Sequence, residues 1–247
     1  MPGILTPVIG FDRPMRLMLA TDPGTPGWPN EDFAAAAPGA AVLLDGATTV
    51  PRTADTGCLH GVAWYACTLG TALLAGITAD PQVPLAGALA DAIAQVRDLH
   101  RDSCDLTSPI TPAATVTAVR AEPGGIGYLA LSDSSIAADY AGGRPPLVVT
   151  DRHRGAKASP DAARHATTGT LPRDGLRGVA LLSDGATRVT DLFHLLAWPA
   201  LIDVARDHGP AELIRQVRAA EDSDRDCERW PRDKPMDDAT VVYWHCG

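Results

Sequence analysis

A short acidic motif occurs three times in the chain. Aspartate followed two residues later by Ala-Thr is found at Asp45-Gly46-Ala47-Thr48, Asp184-Gly185-Ala186-Thr187 and Asp237-Asp238-Ala239-Thr240. The first two motifs follow apolar runs with the composition of buried strands, and the third precedes such a run. Buried carboxylates need a counter-charge. Since no Lys or Arg sits beside all three motifs, a shared cation is the natural partner, and the motifs predict a metal site.

The residue types also indicate which cation would bind. Carboxylates next to Gly46 and Gly185 leave the backbone uncrowded, so that carbonyl oxygens and water can join the coordination. Ligation by oxygen alone favours Mg²⁺ or Mn²⁺ over Zn²⁺ or Cu²⁺. A pair of such ions can activate a water and hold a phosphoryl group. The simpler interpretation, that Asp-Gly only marks turns, is weakened by the repetition and by a further acidic pair, Glu31-Asp32.

Composition limits the classes of partner. The chain has 247 residues, with 21 Lys and Arg against 30 Asp and Glu, for a formal charge of −9. This acidic balance argues against nucleic acid and anionic membranes as partners. The start of the chain resembles no signal peptide, and we expect no apolar stretch of roughly 18 residues, the length that would span a membrane. We therefore predict a cytoplasmic protein with a single domain over residues 1–247, and we leave its oligomeric state open.

The five cysteines predict no metal site of the zinc-finger type. They include no C-x-x-C pair and are widely spaced, as expected of reduced thiols in a cytosolic protein. A zinc cluster of Cys58, His60 and Cys67 is conceivable, but a helix that packs small residues explains the same pattern.

The periodicity of the chain predicts an α+β fold. Strands near 15–20 and 41–44 suit a hairpin or a sheet corner, and a hairpin is expected between 114–119 and 126–131. Two long antiparallel helices lie between these regions, at Ala54–Ala75 and Pro84–His100. The remainder predicts strands at 136–140, 146–150, 178–182 and 240–245, a loop at 151–173, and helices at 192–198, 200–208 and 211–220.

In their order along the chain, these motifs resemble the metal-dependent protein phosphatase (type 2C) family. The resemblance rests on Asn30-Glu31-Asp32, Leu43-Leu44-Asp45-Gly46, Ala114-Thr115, Leu131-Ser132-Asp133-Ser134, Leu182-Ser183-Asp184-Gly185 and Asp237-Asp238-Ala239-Thr240. It spans nearly the whole chain and suggests a divergent member of bacterial type. It implies a four-layer α-β-β-α sandwich, in which two antiparallel sheets are flanked by antiparallel helix pairs.

The resemblance also implies a site with two Mn²⁺ or Mg²⁺ ions. Asp45 would bridge both ions, Asp184 and Asp237 would complete the shell of the first, and Glu31 and the carbonyl of Gly46 would hold the second. These three aspartates would be the catalytic residues. Asp32 and Asp133 would lie just outside the direct ligands and orient ligands or waters. A water bridging the ions would attack the phosphorus of phosphoserine or phosphothreonine in line, without a phosphoenzyme.

The chain departs from the family pattern at two charged positions. Gly27 stands where the family has an arginine that grips the substrate phosphate, so that another arginine such as Arg52 or Arg16 substitutes for it, the substrate differs, or activity is poor. Arg188 stands where the family has an acid, and it could bind phosphate or oppose a third cation.

These departures leave the substrate open. The leading hypothesis is a protein phosphatase. The alternatives are a two-metal phosphatase of a small phosphorylated metabolite and a catalytically weak regulatory or binding domain of the same fold. The family's occasional histidine acid is also missing, so that protonation of the leaving group would fall to water or His60.

Overall fold

The computed structural model of the chain describes residues 16–47, 56–108, 110–151 and 161–246. Its strands are β1 (Arg16–Asp22), β2 (Asp32–Ala37), β3 (Ala40–Ala47), β4 (Ala113–Ala114), β5 (Val116–Glu122), β6 (Gly125–Leu131), β7 (Ser135–Tyr140), β8 (Leu147–Thr150), β9 (Thr167–Pro172), β10 (Leu176–Leu182) and β11 (Ala239–His245). Its helices are α1 (Val62–Ala79), α2 (Leu85–His100), α3 (Asp184–Asp191), α4 (Trp198–Asp207) and α5 (Pro210–Asp222).

The strands form two antiparallel sheets. One sheet has the order β1-β11-β10-β7-β8, and the other has the order β2-β3-β5-β6-β9, with β4 paired to β3. Helices α1 and α2 cover the second sheet, and α3, α4 and α5 cover the first. The predicted α+β sandwich of four layers, α-β-β-α, is therefore confirmed.

Strand β3 shows how the layers are held together. Successive side chains of a strand point to opposite faces of its sheet. Val42 and Leu44 accordingly pack into the core beneath α1 and α2, whereas Ala41 and Leu43 pack into the core between the two sheets. All four side chains are fully buried, which explains why this run is uninterruptedly apolar.

Two strands were not predicted, and the expected first hairpin was wrong. The strand that forms a hairpin with β3 is β2. Its sequence, Asp-Phe-Ala-Ala-Ala-Ala, has little intrinsic strand preference and becomes extended through its pairing with β3. Strand β1 belongs to the other sheet. Strand β9 lies in the predicted loop at 151–173, on the edge of its sheet and mostly exposed, so that it carries no core-facing alternation.

Two helix predictions need correction. Residues 56–61 precede α1 without helical structure, and Gly57 has a φ of +74°, which a helix does not allow; residues 54–55 lie outside the described part. The helix expected at 192–198 is absent: α3 occupies 184–191, directly after Ser183, and the chain then turns through His194 at a φ of +53°. Helix α4 begins at Trp198 with a proline in its first turn, a favoured position.

Helix α1 has 18 residues and both starts and ends later than the helix predicted at Ala54–Ala75. By length and composition alone it could cross a membrane, contrary to the prediction that no stretch would be long enough. Its position in the fold accounts for this composition. It packs against α2 on one side and against β2 and β3 on another, so that Leu69, Leu73 and Ile77 are buried.

Candidate metal centre

The acidic motifs of the first sheet meet at one edge because their strands are antiparallel neighbours. Strands β10 and β11 pair with Leu182 opposite Val241. Asp184 follows the end of β10 as the first residue of α3, and Asp237 lies two residues before the start of β11. Antiparallel pairing places the end of one strand beside the start of the other, so the two carboxylates emerge together.

The acids of the second sheet lie close to Asp184 and Asp237. Asp32 begins β2 directly opposite Asp45 of β3, and residues opposite each other in an antiparallel pair share a face. The amide of Gly46 donates a hydrogen bond of 3.1 Å to the carbonyl of Glu31. The carboxylates of Asp45 and Asp184, from different sheets, are in hydrogen-bond contact. Glu31, Asp32, Asp45, Asp184 and Asp237 are called the acid cluster below.

Two glycines make this approach possible. A Cβ atom on Gly46 would lie 2.5 Å from Cγ1 of Val62 and 2.6 Å from the carbonyl oxygen of Glu31. A Cβ atom on Gly185 would collide with the backbone of Asp238. Glycine is therefore required at both motifs for the two strand ends to approach, and the backbone there is left bare of side chains.

Asp238 fixes the loop that carries Glu31. Its buried carboxylate accepts hydrogen bonds from the amide of Gly24 at 2.8 Å and from the amide of Glu31 at 2.7 Å. Sequence reasoning included Asp238 in the third motif but gave it no role. The structure shows that these adjacent aspartates differ in their contacts: Asp237 belongs to the acid cluster, and Asp238 positions a loop.

Asp32 is a buried acid without a hydrogen-bond partner. Among the described residues, neither of its carboxylate oxygens has one. Asp139, an equally buried acid elsewhere in the same fold, accepts hydrogen bonds from Arg177 at 2.6 Å, Arg206 at 3.0 Å and the hydroxyl of Tyr243 at 2.8 Å. Among the described residues, Asp32 therefore lacks the donors that Asp139 has, as expected of an acid beside a site for a hard cation and its waters.

The pKa values of the cluster agree with this shortage. Burial raises the pKa of Asp32 to about 7, against the lowering effect of the nearby Thr240 and Ser183 hydroxyls. Burial also raises the pKa of Asp184, and repulsion from Asp237 adds to the rise. Both acids are therefore harder to ionise than an exposed aspartate, and a bound cation would favour their charged forms.

Within the described part of the chain, two cationic side chains contact the cluster at Asp237. One guanidinium nitrogen of Arg188 contacts Asp237 at 2.8 Å and another contacts the fully buried Glu221 at 2.9 Å. The Nζ atom of Lys234 contacts the other oxygen of Asp237 at 2.9 Å. Burial by itself would lower the pKa of Lys234, but attraction to Asp237 and a hydrogen bond with it, together with smaller effects of Asp45 and Asp184, raise the pKa. Lys234 and Glu221 were missed from the sequence, although Lys234 lies only three residues before Asp237.

The structure separates the three arginines considered as phosphate ligands. Arg188 lies at the acid cluster, but its guanidinium is largely buried between two carboxylates. Arg16 is exposed at the opposite end of β1 from Asp22, about 20 Å away along a strand of this length, so its position gives no support for a phosphate-binding role. Arg52 lies outside the described residues. Gly27 has a φ of +82°, a conformation in which the arginine of the family pattern would be strained.

Two further residues can now be placed. Asp133 lines a groove together with Asp184 and Arg188, which puts it near the acid cluster as expected of an outer acid. His60 contacts Cys58, Cys104 and two aromatic rings instead, so its described contacts give no support for a role in protonating a leaving group.

Comparison with known proteins agrees with the architecture. The sequence model of the family described as protein phosphatase 2C matches residues 25–218. No curated protein matches the chain by sequence.

Three solved structures illustrate the similarity of fold. The serine/threonine phosphatase Stp1 from Staphylococcus aureus is 13% identical, with a TM-score of 0.64 and coverage of 98% of this chain and 99% of that one. The phosphatase MsPP from Mycobacterium smegmatis, in complex with cacodylate, is 21% identical, with a TM-score of 0.61 and coverage of 94% and 98%. The catalytic domain of the phosphatase PstP, in complex with two manganese ions, is 16% identical, with a TM-score of 0.56 and coverage of 94% and 97%. The fold, the order of the motifs and the family match lead to one conclusion: this chain belongs to the protein phosphatase 2C family.

Proposed function

We propose that the chain is a Mn²⁺- or Mg²⁺-dependent phosphatase that hydrolyses phosphoserine and phosphothreonine. The observation that carries the proposal is the convergence of five acids from both sheets, with Asp32 buried among them and its carboxylate without a hydrogen bond among the described residues. The donor set is entirely oxygen, which suits these cations. When bound, a pair of such ions supplies an activated water and stabilises charge on the phosphoryl oxygens.

Each residue of the acid cluster has a role in this proposal. Asp45, Asp184 and Asp237 are the catalytic acids. Together with Glu31 and the carbonyl of Gly46 they would hold the ions, and Asp45 is the residue shared between them. Asp32 and Asp133 would orient ligands and waters.

The two cationic side chains at the site differ in how firmly they are held. Arg188 holds Asp237 against Glu221 and is committed to that task. Lys234 has a side chain that is 53% exposed and a single carboxylate partner, so its ammonium can turn toward an incoming phosphate. We therefore assign to Lys234 the phosphate-binding charge that Gly27 cannot supply.

The direct test is hydrolysis of a chromogenic phosphoester by the purified chain with and without added Mn²⁺. We expect turnover that depends on Mn²⁺ and stops when a chelator is added. A chain that binds Mn²⁺ in calorimetry but hydrolyses neither this ester nor phosphopeptides would instead support a regulatory or binding domain.

Gly27 gives a specific reason to consider small phosphorylated metabolites as a second class of substrate. Because the arginine of the family pattern is absent, recognition of phosphoprotein substrates lacks one bidentate contact. Comparison of phosphopeptides with a panel of small phosphorylated metabolites separates the two classes. Higher kcat/KM for phosphopeptides supports the leading proposal, and higher kcat/KM for a metabolite supports the alternative.

Replacement of Lys234 by alanine should raise KM for the phosphoester about 10- to 100-fold, the effect of losing one hydrogen bond to a charged group. The kcat value should change much less, because Lys234 is assigned to phosphate binding and not to the reacting water. Lys234→Arg should restore most of the affinity, since it keeps the charge. Arg225→Ala is the matched control, because Arg225 is exposed and pairs only with Asp222. An unchanged KM in Lys234→Ala would contradict this role.

Metal binding should release protons near neutral pH. Asp32, with a pKa of about 7, is partly protonated in the free protein at about pH 6.5, and metal binding favours its charged form. Affinity for Mn²⁺ should therefore rise with pH through neutrality. Calorimetry in buffers of different ionisation enthalpy measures the released protons directly. We expect release at about pH 6.5, little at about pH 8.5, and less at the lower pH in Asp32→Asn.

A further inference from the structure

Four sulfur and nitrogen side chains meet at one end of the α1–α2 helix pair. They are Cys58, His60, His100 and Cys104, and one ligand atom from each lies within 4.8 Å of the others. His100 is buried and the remaining three are partly buried. None of them belongs to the acid cluster. Cys67, the third residue of the zinc cluster considered from the sequence, is exposed on α1 and takes no part.

The separations between these atoms suit a tetrahedral metal. The Nδ1 atom of His60 lies 3.4 Å from Sγ of Cys104 and 3.9 Å from Sγ of Cys58, and the Nδ1 atom of His100 lies 3.7 Å from Sγ of Cys58. Zinc bonds of about 2.0–2.1 Å to nitrogen and 2.3 Å to sulfur require ligand atoms about 3.3 to 3.8 Å apart at the corners of a tetrahedron. The three separations fall in or next to this range.

The helix pair explains why residues about forty positions apart come together. Cys58 and His60 lie just before α1, and His100 and Cys104 lie at and just after the end of α2. The helices run antiparallel, so these two segments are neighbours. The amide of Asp105 donates a hydrogen bond of 2.7 Å to the carbonyl of Gly57 and fixes the segments side by side. Only the fold reveals the site, because neither Cys-x-His nor His-x-x-x-Cys is a strong motif alone.

The surroundings support the same ligand set. The amide of Leu59 points at Sγ of Cys104 at 3.3 Å, a contact that favours a thiolate over a thiol. The ring of His60 stacks on Trp64 with a centroid distance of 3.9 Å, and Trp64 also contacts the ring of His100 at 5.3 Å. Packing of this kind holds both imidazoles with Nδ1 facing the sulfurs.

We propose that Cys58, His60, His100 and Cys104 bind one Zn²⁺ ion. Four protein ligands with two thiolates and two imidazoles form a closed site of the structural type, with no open position for catalysis. The ion would tie the start of α1 to the end of α2. Val62, in the first turn of α1, lies against Gly46. The zinc site would therefore fix the helix end that packs on the acid cluster.

Two other arrangements of the same residues give different observables. Thiol–imidazole hydrogen bonds without metal could pair Cys104 with His60 and Cys58 with His100, but they leave the 3.9 Å contact between Cys58 and His60 without a proton. A disulfide between Cys58 and Cys104 would leave both imidazoles without a common partner. The metal accounts for all four side chains at once.

The test is the metal content of the whole chain, purified without chelator and without added metal. We expect about one zinc per chain by elemental mass spectrometry, retained on gel filtration. The double variant Cys58→Ser/Cys104→Ser should lose the zinc and show a lower Tm. Cys67→Ser and Cys227→Ser are the matched controls, since both remove cysteines outside the cluster, and both should keep it.

Cobalt substitution tests the proposal without any variant. Wild-type protein loaded with Co²⁺ should show thiolate-to-cobalt charge transfer and the intense visible bands of tetrahedral coordination, whereas an all-oxygen site gives neither. Asp184→Asn should retain both signals, so that failure of the phosphatase proposal does not affect this test. Absence of zinc and of cobalt–thiolate absorption, zinc that persists in the double cysteine variant, or a Cys58–Cys104 disulfide in the native protein would each overturn the proposal.

Discussion

Replacement of Asp184 by asparagine is expected to reduce metal-dependent phosphoester hydrolysis by more than about a hundredfold, beyond the 10- to 100-fold typical of an outer-shell change. Asp184 contacts Asp45 from the opposite sheet and is repelled by Asp237, so it lies where the acids of the two sheets meet. Asparagine keeps the size of the side chain but removes its charge. The loss should therefore fall on metal affinity and turnover, while the fold is retained.

Measurement of kcat/KM against Mn²⁺ concentration separates the two effects. A higher Mn²⁺ requirement with a recoverable rate indicates weaker binding, and a low rate at saturating Mn²⁺ indicates loss of a group needed in the reaction. Asp222→Asn is the matched control, because Asp222 is a half-exposed acid at the end of α5 that pairs with Arg225. Full turnover in Asp184→Asn would rule out the assignment of the acid cluster as the catalytic centre.

The sequence was sufficient for the layers of the fold, because the elements that form them carry their own signals. Helix α2 shows a clear helical period, and the hairpin of β5 and β6 has two runs rich in strand-forming and apolar residues on either side of a Gly-containing turn. The prediction missed strand β2 for a physical reason: a run of alanines has weak strand preference, and only pairing with β3 makes it a strand. The intrinsic strand preference of a segment cannot predict a strand that forms only because a neighbouring strand pairs with it.

The same distinction holds for the candidate sites. The acid cluster was predictable because its three motif aspartates lie beside strand signals, and the family resemblance added Glu31 and Asp32, for which β2 gave no strand signal. Lys234 was not, since nothing in a charged loop indicates which of its residues turns inward. The cysteine–histidine cluster required the antiparallel pairing of α1 and α2 to be combined with positions just outside those helices, and the sequence prediction placed the start of α1 too early for this.

The cationic side chains around Asp237 indicate how part of the negative charge of the site is balanced when no metal ion is bound. Arg188 and Lys234 both contact Asp237, whereas Asp32 has no partner among the described residues. Among the described residues, the direct cation contacts are therefore concentrated at Asp237, and a bound ion would add positive charge to the rest of the cluster. Lys234 can withdraw when an ion arrives, because its side chain is half exposed, but Arg188 is held by Glu221 as well. We expect Arg188 to stay in place and to keep Asp237 oriented.

Replacement of Asp238 by alanine is expected to weaken Mn²⁺ binding about 10- to 100-fold, the usual effect of losing a group that orients metal ligands. Its carboxylate accepts the amides of Gly24 and Glu31, and alanine would leave both amides without this acceptor. The loop bearing Glu31 would then lose its fixed position relative to Asp45 and Gly46. Calorimetry with Mn²⁺ measures the affinity, and thermal unfolding reports any loss of stability separately.

A comparison with Asp238→Asn distinguishes positioning from charge. Asparagine still offers one carbonyl oxygen, so it can keep one of the two amide hydrogen bonds while it removes the negative charge. If Asp238 acts by positioning the loop, Asn should fall between wild type and Ala in Mn²⁺ affinity. If its charge attracts the ions directly, Asn and Ala should be equally impaired. Two carboxylate hydrogen bonds to separate amides of one loop favour the first result, because a carboxylate engaged in this way faces the loop and not the acid cluster.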